Sequence, residues 1–238
     1  SVDFSVYDTI VHVAGIAHRK ETNKNAYLYY EVNRDLTYQI AYKAKVSKVP
    51  HFIFLSTMSV FGLEQGIINK NTPLKPKTHY GVSKFQAEKL LYNLKDNDFK
   101  VSIIRPPMIY GKDCPGNYQR LRWLALKTPI FPKVNNQRSM IFIDNLSYFL
   151  KHIIDCALEG FYHPQNNEYI NTSVLVEQIA IQNNKKVFLI SSLNPLMKIL
   201  NFSLMRKVFG TLVYDNRELI NMPISFIESI KKAEGRTS

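Results

Sequence analysis

Tyr80 and Lys84, in the run Tyr80-Gly81-Val82-Ser83-Lys84, are the residues of this sequence best suited to proton transfer. Four positions apart on a helix, their side chains share one face. An ammonium held beside a phenol favours the phenolate, lowering a pKa that ordinarily lies near ~10. Such a phenol takes and returns a proton near neutral pH. The spacing alone is weak, because 14 Tyr and 22 Lys in 238 residues put about 1.3 such pairs there by chance. A second group strengthens it. Ser56-Thr57-Met58-Ser59, at the end of an apolar run, offers with Thr57 a small hydroxyl that can hydrogen-bond a substrate oxygen.

These side chains need elements that bring them together. Thr9 to Val13 is a short apolar run closing on Ala14-Gly15, and it reads as a buried strand and a tight turn. Asn25 to Val46, without Gly or Pro, reads as a long helix. His51 to Leu55 is a second strand, Gly62 to Thr78 a loop, Tyr80 to Leu94 a helix and Lys100 to Ile104 a third strand. Near-continuous apolar strands alternating with helices predict a parallel sheet in an α/β protein. Ligands of such sheets bind at the carboxyl ends of the strands. Those ends are Ala14-Gly15, Ser56-Thr57 and Arg105-Pro106-Pro107, so one rim gathers them with the Tyr-Lys helix. At Gly15 the missing side chain would let a flat cofactor approach the backbone.

After Gly111 the alternation weakens. Helices are expected over Asn117 to Lys127, Asn145 to Glu159, Val174 to Asn183, Pro195 to Phe209 and Ile224 to Ala233. Short strands are expected at Ser139 to Ile143 and Glu168 to Asn171. This predicts a partial Rossmann-type, doubly wound sheet over 1–112. A smaller mixed lobe follows over 113–238, with 144–172 returning to the sheet. The amphipathic stretch Pro195 to Val213 reads as a helix packed on its own lobe rather than one lying on a membrane.

Composition bounds the function. Hydrophobic residues make up 45% and charged ones 21%, as in ordinary globular proteins. No apolar run approaches the ~20 residues of a membrane-spanning helix, the start lacks a signal-peptide layout, and a cytoplasmic location is the default. Cys114 and Cys156 form neither a disulfide framework nor a zinc motif. The net charge of +12 is spread over lysines in runs of at most two, such as Lys185-Lys186, without a nucleic-acid-binding motif. Neither nucleic acid, nor membrane, nor a metal is expected as partner.

The ordered set of motifs resembles the extended short-chain dehydrogenase/reductases, specifically the nucleotide-sugar epimerase/dehydratase family. The residues carrying it are Val11-His12-Val13-Ala14-Gly15, the helix with Asn33, Phe52 to Gly62, Tyr80 to Lys84 and Arg105 to Gly111. Gly116-Asn117, Arg138 to Leu146, Val213 to Asn216 and Met222 to Ser225 continue it. The branch most similar contains bacterial UDP-sugar 4-epimerases and 4-reductases of surface-polysaccharide pathways.

The resemblance implies catalytic roles for Thr57, Tyr80 and Lys84. It implies NAD or NADP lined by Ala14, Gly15, Ile16, Asn33, Lys84, Pro106 and Pro107. Asn117 and Arg138 would hold the diphosphate of a UDP-hexose, probing phosphate oxygens with a forked cation in the case of Arg138. His18 could meet the sugar, and Cys114 reads as a filler. A homodimer through the two long helices is implied as well. Met58-Ser59 after Thr57 supply no acid-base pair for water elimination, which sets a dehydratase aside. The nine glycines include no Gly-x-x-Gly-x-x-Gly turn, so the first three strands of such a fold are expected to be missing, leaving an exposed sheet edge. Two readings stay open: a C4 epimerase or reductase, and a non-catalytic nucleotide-sugar-binding remnant.

Overall fold

A computed structural model describes residues 2–17, 19–193, 208–215 and 220–235. Contacts divide the chain into two compact units. The first comprises residues 1–62, 72–106 and 149–164, the second 63–71, 107–148 and 165–238.

The first unit holds a four-stranded parallel sheet in the order Thr9–His12, His51–Leu55, Lys100–Ile104, Gly160–Tyr162. Its first three strands are the apolar runs anticipated above, with Phe52, Ile53, Phe54, Ile103 and Ile104 almost fully buried. In register, Phe52 lies beside Ile10 on one flank and Val101 on the other. Backbone bonds continue past the strand ends: Ser56 donates to the Ile104 carbonyl at 2.7 Å and Met58 to the Pro106 carbonyl at 2.9 Å. The residues after the second strand are thereby fixed against those after the third. Ala41 and Ala44 from one helix and Ala87 and Leu91 from another pack with Phe52, Phe54 and Val101 in one apolar cluster. The small alanines let the helices lie close to the sheet.

The Asn25 to Val46 helix forms as Ala26–Tyr30 and Thr37–Val46, joined through a π-helical turn at Glu31–Leu36. Two helix boundaries differ from expectation for local reasons. The helix expected to reach Glu159 ends at Asp155, because Ala157 takes a φ of +43°. The following Gly160–Tyr162 then adds the fourth strand, which is too short for apolar periodicity to reveal. The helix expected from Val174 starts at Thr172, since the Asn171 side chain caps it by accepting from Ser173 and Val174.

Among the described residues, the second unit carries three two-stranded parallel ladders. Gly66–Ile68 pairs with Leu212–Tyr214, which takes part of the expected 62–78 loop into this unit. Met108–Tyr110 pairs with Met140–Phe142, and Ile130–Pro132 with Phe188–Ile190. The expected strand at Glu168 to Asn171 reduces to a bridge between Ile170 and Arg138. Tyr110, Tyr118, Leu175, Ile179 and Ile230 centre its core. The helices Asn117–Lys127, Thr172–Gln182 and Phe226–Glu234 supply most of that cluster. His18, Asn216 and all but the last two residues of the expected Pro195 to Phe209 helix lie outside the described residues.

Candidate active site

Thr57 ends the extended segment after the second strand, with φ −163° and ψ 150°, and caps the short 3-10 turn Met58–Phe61. Its Oγ1 accepts the Ser59 N–H at 3.1 Å. The helix His79–Leu94 packs on this turn at Gly81, where a β-carbon would come within 2.9 Å of the Ser59 carbonyl. Glycine after Tyr80 therefore lets the helix approach, which brings the Tyr80 phenol close enough to the Thr57 side chain to feel it.

Lys84 follows one turn along the same helix. It is buried, 3% exposed, and its Nζ donates to the Leu55 carbonyl at 2.9 Å. Its ammonium also stands 4.6 Å from the Phe54 ring centroid. Burial lowers its pKa to about 8, with Glu88 opposing that shift. The expectation that Lys84 brings the Tyr80 phenol below its ordinary range is corrected here. Desolvation by the surrounding atoms raises the Tyr80 pKa, and the Thr57 side chain opposes this only in part. Packing that excludes water penalises both charged forms at once.

Asn33 lies within the π-helical turn and is fully buried. Its Oδ1 accepts the Ile16 N–H at 2.7 Å, and its Nδ2 donates to the Ile16 carbonyl at 3.1 Å and to Ser83 Oγ at 3.2 Å. Ser83 in turn donates to the Tyr80 carbonyl at 2.9 Å. One amide thus ties the loop after the first strand to the helix that bears Tyr80. At Gly15 an added β-carbon would fall 2.9 Å from Asn33 Oδ1 and 3.1 Å from Lys84 Nζ. The space its missing side chain leaves admits these two side chains.

Ala14 and Gly15 are exposed, Ile16 is half-buried, and Pro106 is buried. Together they leave open backbone beside a buried ammonium. One of its three N–H groups meets Leu55, and the others suit sugar hydroxyls. The residues present therefore fit the nicotinamide-ribose end of a dinucleotide.

Sequence reasoning missed two carboxylates of this unit. Glu21 accepts the N–H groups of His79 and Tyr80. Glu88, 2% exposed, accepts two bonds from Arg105, at 3.0 and 2.7 Å, and one from Ser56 Oγ. Glu88 was within reach of spacing arguments, being four residues beyond Lys84 on the same face.

In the second unit, Pro107 is buried and Asn117 opens its helix after Gly116, whose φ is +113°. Arg138 is half-buried, donates to the Gly210 carbonyl at 3.1 Å, and has its pKa lowered to about 10 by burial. Burial and the nearby Asp113 and Asp144 push the Cys114 thiol up, away from the thiolate a nucleophile needs. Among the described residues no group of three His, Cys, Asp or Glu side chains is placed to hold a metal ion. No described helix is long and apolar enough to cross a membrane.

A sequence profile of the NAD dependent epimerase/dehydratase family matches residues 2–145. The N-acetyl-alpha-D-glucosaminyl-diphospho-ditrans,octacis-undecaprenol 4-epimerase of Escherichia coli O157:H7 is 31% identical over 188 residues, 76% of this chain. The UDP-glucose 4-epimerase of Vibrio cholerae is 32% identical over 216 residues, 84% of this chain. The matched regions make up 56% and 63% of those two relatives. The fold is that of UDP-glucuronic acid 4-epimerase from Bacillus cereus, solved with NAD. Its TM-score is 0.75 at 18% identity, over 98% of this chain and 75% of that one.

Proposed function

The chain belongs to the NAD dependent epimerase/dehydratase family, and from that premise we propose that it exchanges hydride at C4 of a UDP-hexose, of the N-acetylhexosamine type, using NAD or NADP. The pathway class is the building of bacterial surface polysaccharide. The observation that carries this reading is the buried Lys84, bonded to the Leu55 carbonyl one helical turn from Tyr80, on a helix that Gly81 lets pack against the turn after Thr57.

Bound oxidised nicotinamide would supply the hydride acceptor and a positive charge in the site. Tyr80 takes the O4 proton as C4 is oxidised and returns it when C4 is reduced. Its raised pKa keeps the phenol protonated at neutral pH until positive charge is added nearby. Thr57 holds the same sugar oxygen in line with the phenol. Lys84 binds ribose hydroxyls while its Leu55 bond fixes its position. Ala14, Gly15, Ile16 and Pro106 line the cofactor, with Asn33 holding the Ile16 backbone in place. Pro107 is assigned to the same cofactor, and Asn117 and Arg138 to the diphosphate. The two long helices are the proposed homodimer contact.

Incubating the chain with UDP-GlcNAc and NAD+ separates the reactions. Epimerised sugar without net cofactor turnover marks an epimerase. NAD(P)H consumed with a 4-keto sugar marks a reductase. Activity surviving Tyr80→Phe rules the mechanism out. A non-catalytic sugar-binding role is the second reading, with Asn117 and Arg138 holding the nucleotide sugar. It predicts binding of UDP without NAD(H).

A further inference from the structure

Two stretches of the second unit contain no acidic residue. None lies between Asp113 and Asp144, where Arg120, Arg122, Lys127 and Arg138 fall, and none between Glu177 and Asp215. The two stretches meet in one small sheet, in which Ile130 lies beside Phe188 and Pro132 beside Ile190. Successive residues of a strand face opposite sides. Phe131 and Val187 are buried in the core, and Leu189 packs against it. The other side therefore carries Ile130, Pro132, Phe188 and Ile190. Ile130 is 45% exposed and Phe188 63% exposed. Lys186, two residues before Phe188, is exposed. Lys185 and Lys127 are exposed as well, the latter three residues before Ile130.

An apolar ridge among lysines, built from acid-free segments, matches the headgroup region of an anionic bilayer. Apolar side chains enter the acyl boundary while ammonium groups stay with the phosphates. We infer that this face docks the protein reversibly on an anionic lipid membrane. The inference departs from the expectation of no membrane partner, and it rests on the surface alone, not on the catalytic reading. A second copy of the chain is the poorer occupant, since two such basic faces repel one another. Nucleic acid would use the lysines but leave Phe188 and Ile130 in water.

Flotation of the 238-residue chain with phosphatidylglycerol/phosphatidylcholine vesicles, against phosphatidylcholine alone, tests this without sugar or cofactor. The chain is expected to float with the anionic vesicles only, and high salt weakens that binding about tenfold or more. The double change Ile130→Ser with Phe188→Ser, both on the outer side, lowers the bound fraction about tenfold. Lys185→Glu with Lys186→Glu does the same with the apolar pair intact, so loss of fold in one variant leaves the other as a test. No flotation with anionic vesicles overturns the proposal. Flotation unchanged in both variants does so too. A dimer broken by the Ile130/Phe188 change, or binding to duplex DNA, found in place of vesicle binding, also overturns it.

Discussion

The carboxylate of Glu21 accepts the backbone N–H of Tyr80 at 3.0 Å, across 59 residues of chain. Its other oxygen accepts that of His79 at 2.9 Å, and Thr78 Oγ1 accepts that of Gly81 at 3.1 Å. The first three N–H groups of the helix are thus all occupied, and a negative charge sits at its positive end. Glu21→Ala should cost about 1–2 kcal/mol and lower the melting temperature by about 2–6 °C. It also loosens the turn bearing Tyr80, so sugar turnover should fall more than UDP affinity. An unchanged melting temperature would count against this role.

Glu21 is also an example of what a sequence hides. A charged residue among Arg19, Lys20, Asn23 and Lys24 reads as solvated loop, and only the tertiary fold brings it to a helix start 58 positions on. By contrast, Phe52 to Leu55 and Val101 to Ile104 were legible as core strands because both their faces are covered, and burial on both faces writes an unbroken apolar run. Tyr80, Lys84 and Thr57 were legible through their place at strand ends and one helix face. The direction of the Tyr80 pKa was not, because desolvation depends on every neighbour and charge spacing on only one. The described strands of the second unit are three residues each, shorter than any period-2 signal.

At Gly15 the contacts predict a cost for the smallest possible side chain. The β-carbon of Gly15→Ala would press on Asn33 Oδ1, which the Ile16 N–H holds at 2.7 Å, and on Lys84 Nζ. Neither can move without losing a hydrogen bond. A destabilisation of about 1–2 kcal/mol is expected in denaturant titration. Turnover should drop further than stability does, because Lys84 is displaced in the fraction that remains folded. Equal activity per folded molecule would remove Gly15 from the site.

Glu88 and Arg105 form a two-pronged ion pair with both side chains under 10% exposed. The Arg105 guanidinium also lies 4.6 Å from the Phe161 ring centroid and 5.4 Å from that of Phe61. Removing one partner leaves a desolvated charge, so Glu88→Gln should cost about 3–5 kcal/mol. Replacing both, with Glu88→Met and Arg105→Met, should recover most of that loss. The double-mutant cycle measures it: additive losses mean that the two side chains act separately.

The last prediction concerns acid. His12 is 5% exposed and stacks at about 6 Å from the rings of Phe52 and Phe54. Its Nε2 is 3.0 Å from Thr37 Oγ1, and Thr37 gives its one proton to the Asn33 carbonyl at 2.9 Å. The imidazole must then be the donor in that pair. Burial first, and the Lys84 charge second, lower its pKa to about 4. Below pH ~6.5 an unfolded chain protonates this histidine while the folded one stays neutral down to about 4, so unfolding takes up a proton. Stability is complete above that window, falls as pH drops through it, and levels off below about 4, with a contribution of up to about 3 kcal/mol. His12→Gln should therefore be the less stable protein at pH 7, and its deficit should shrink or reverse by pH 5. Parallel stability curves for the two proteins between these pH values would mean that His12 does not titrate on unfolding. Because Thr37 connects His12 to the turn that carries Asn33, activity should fall with stability across the same window and recover on return to pH 7.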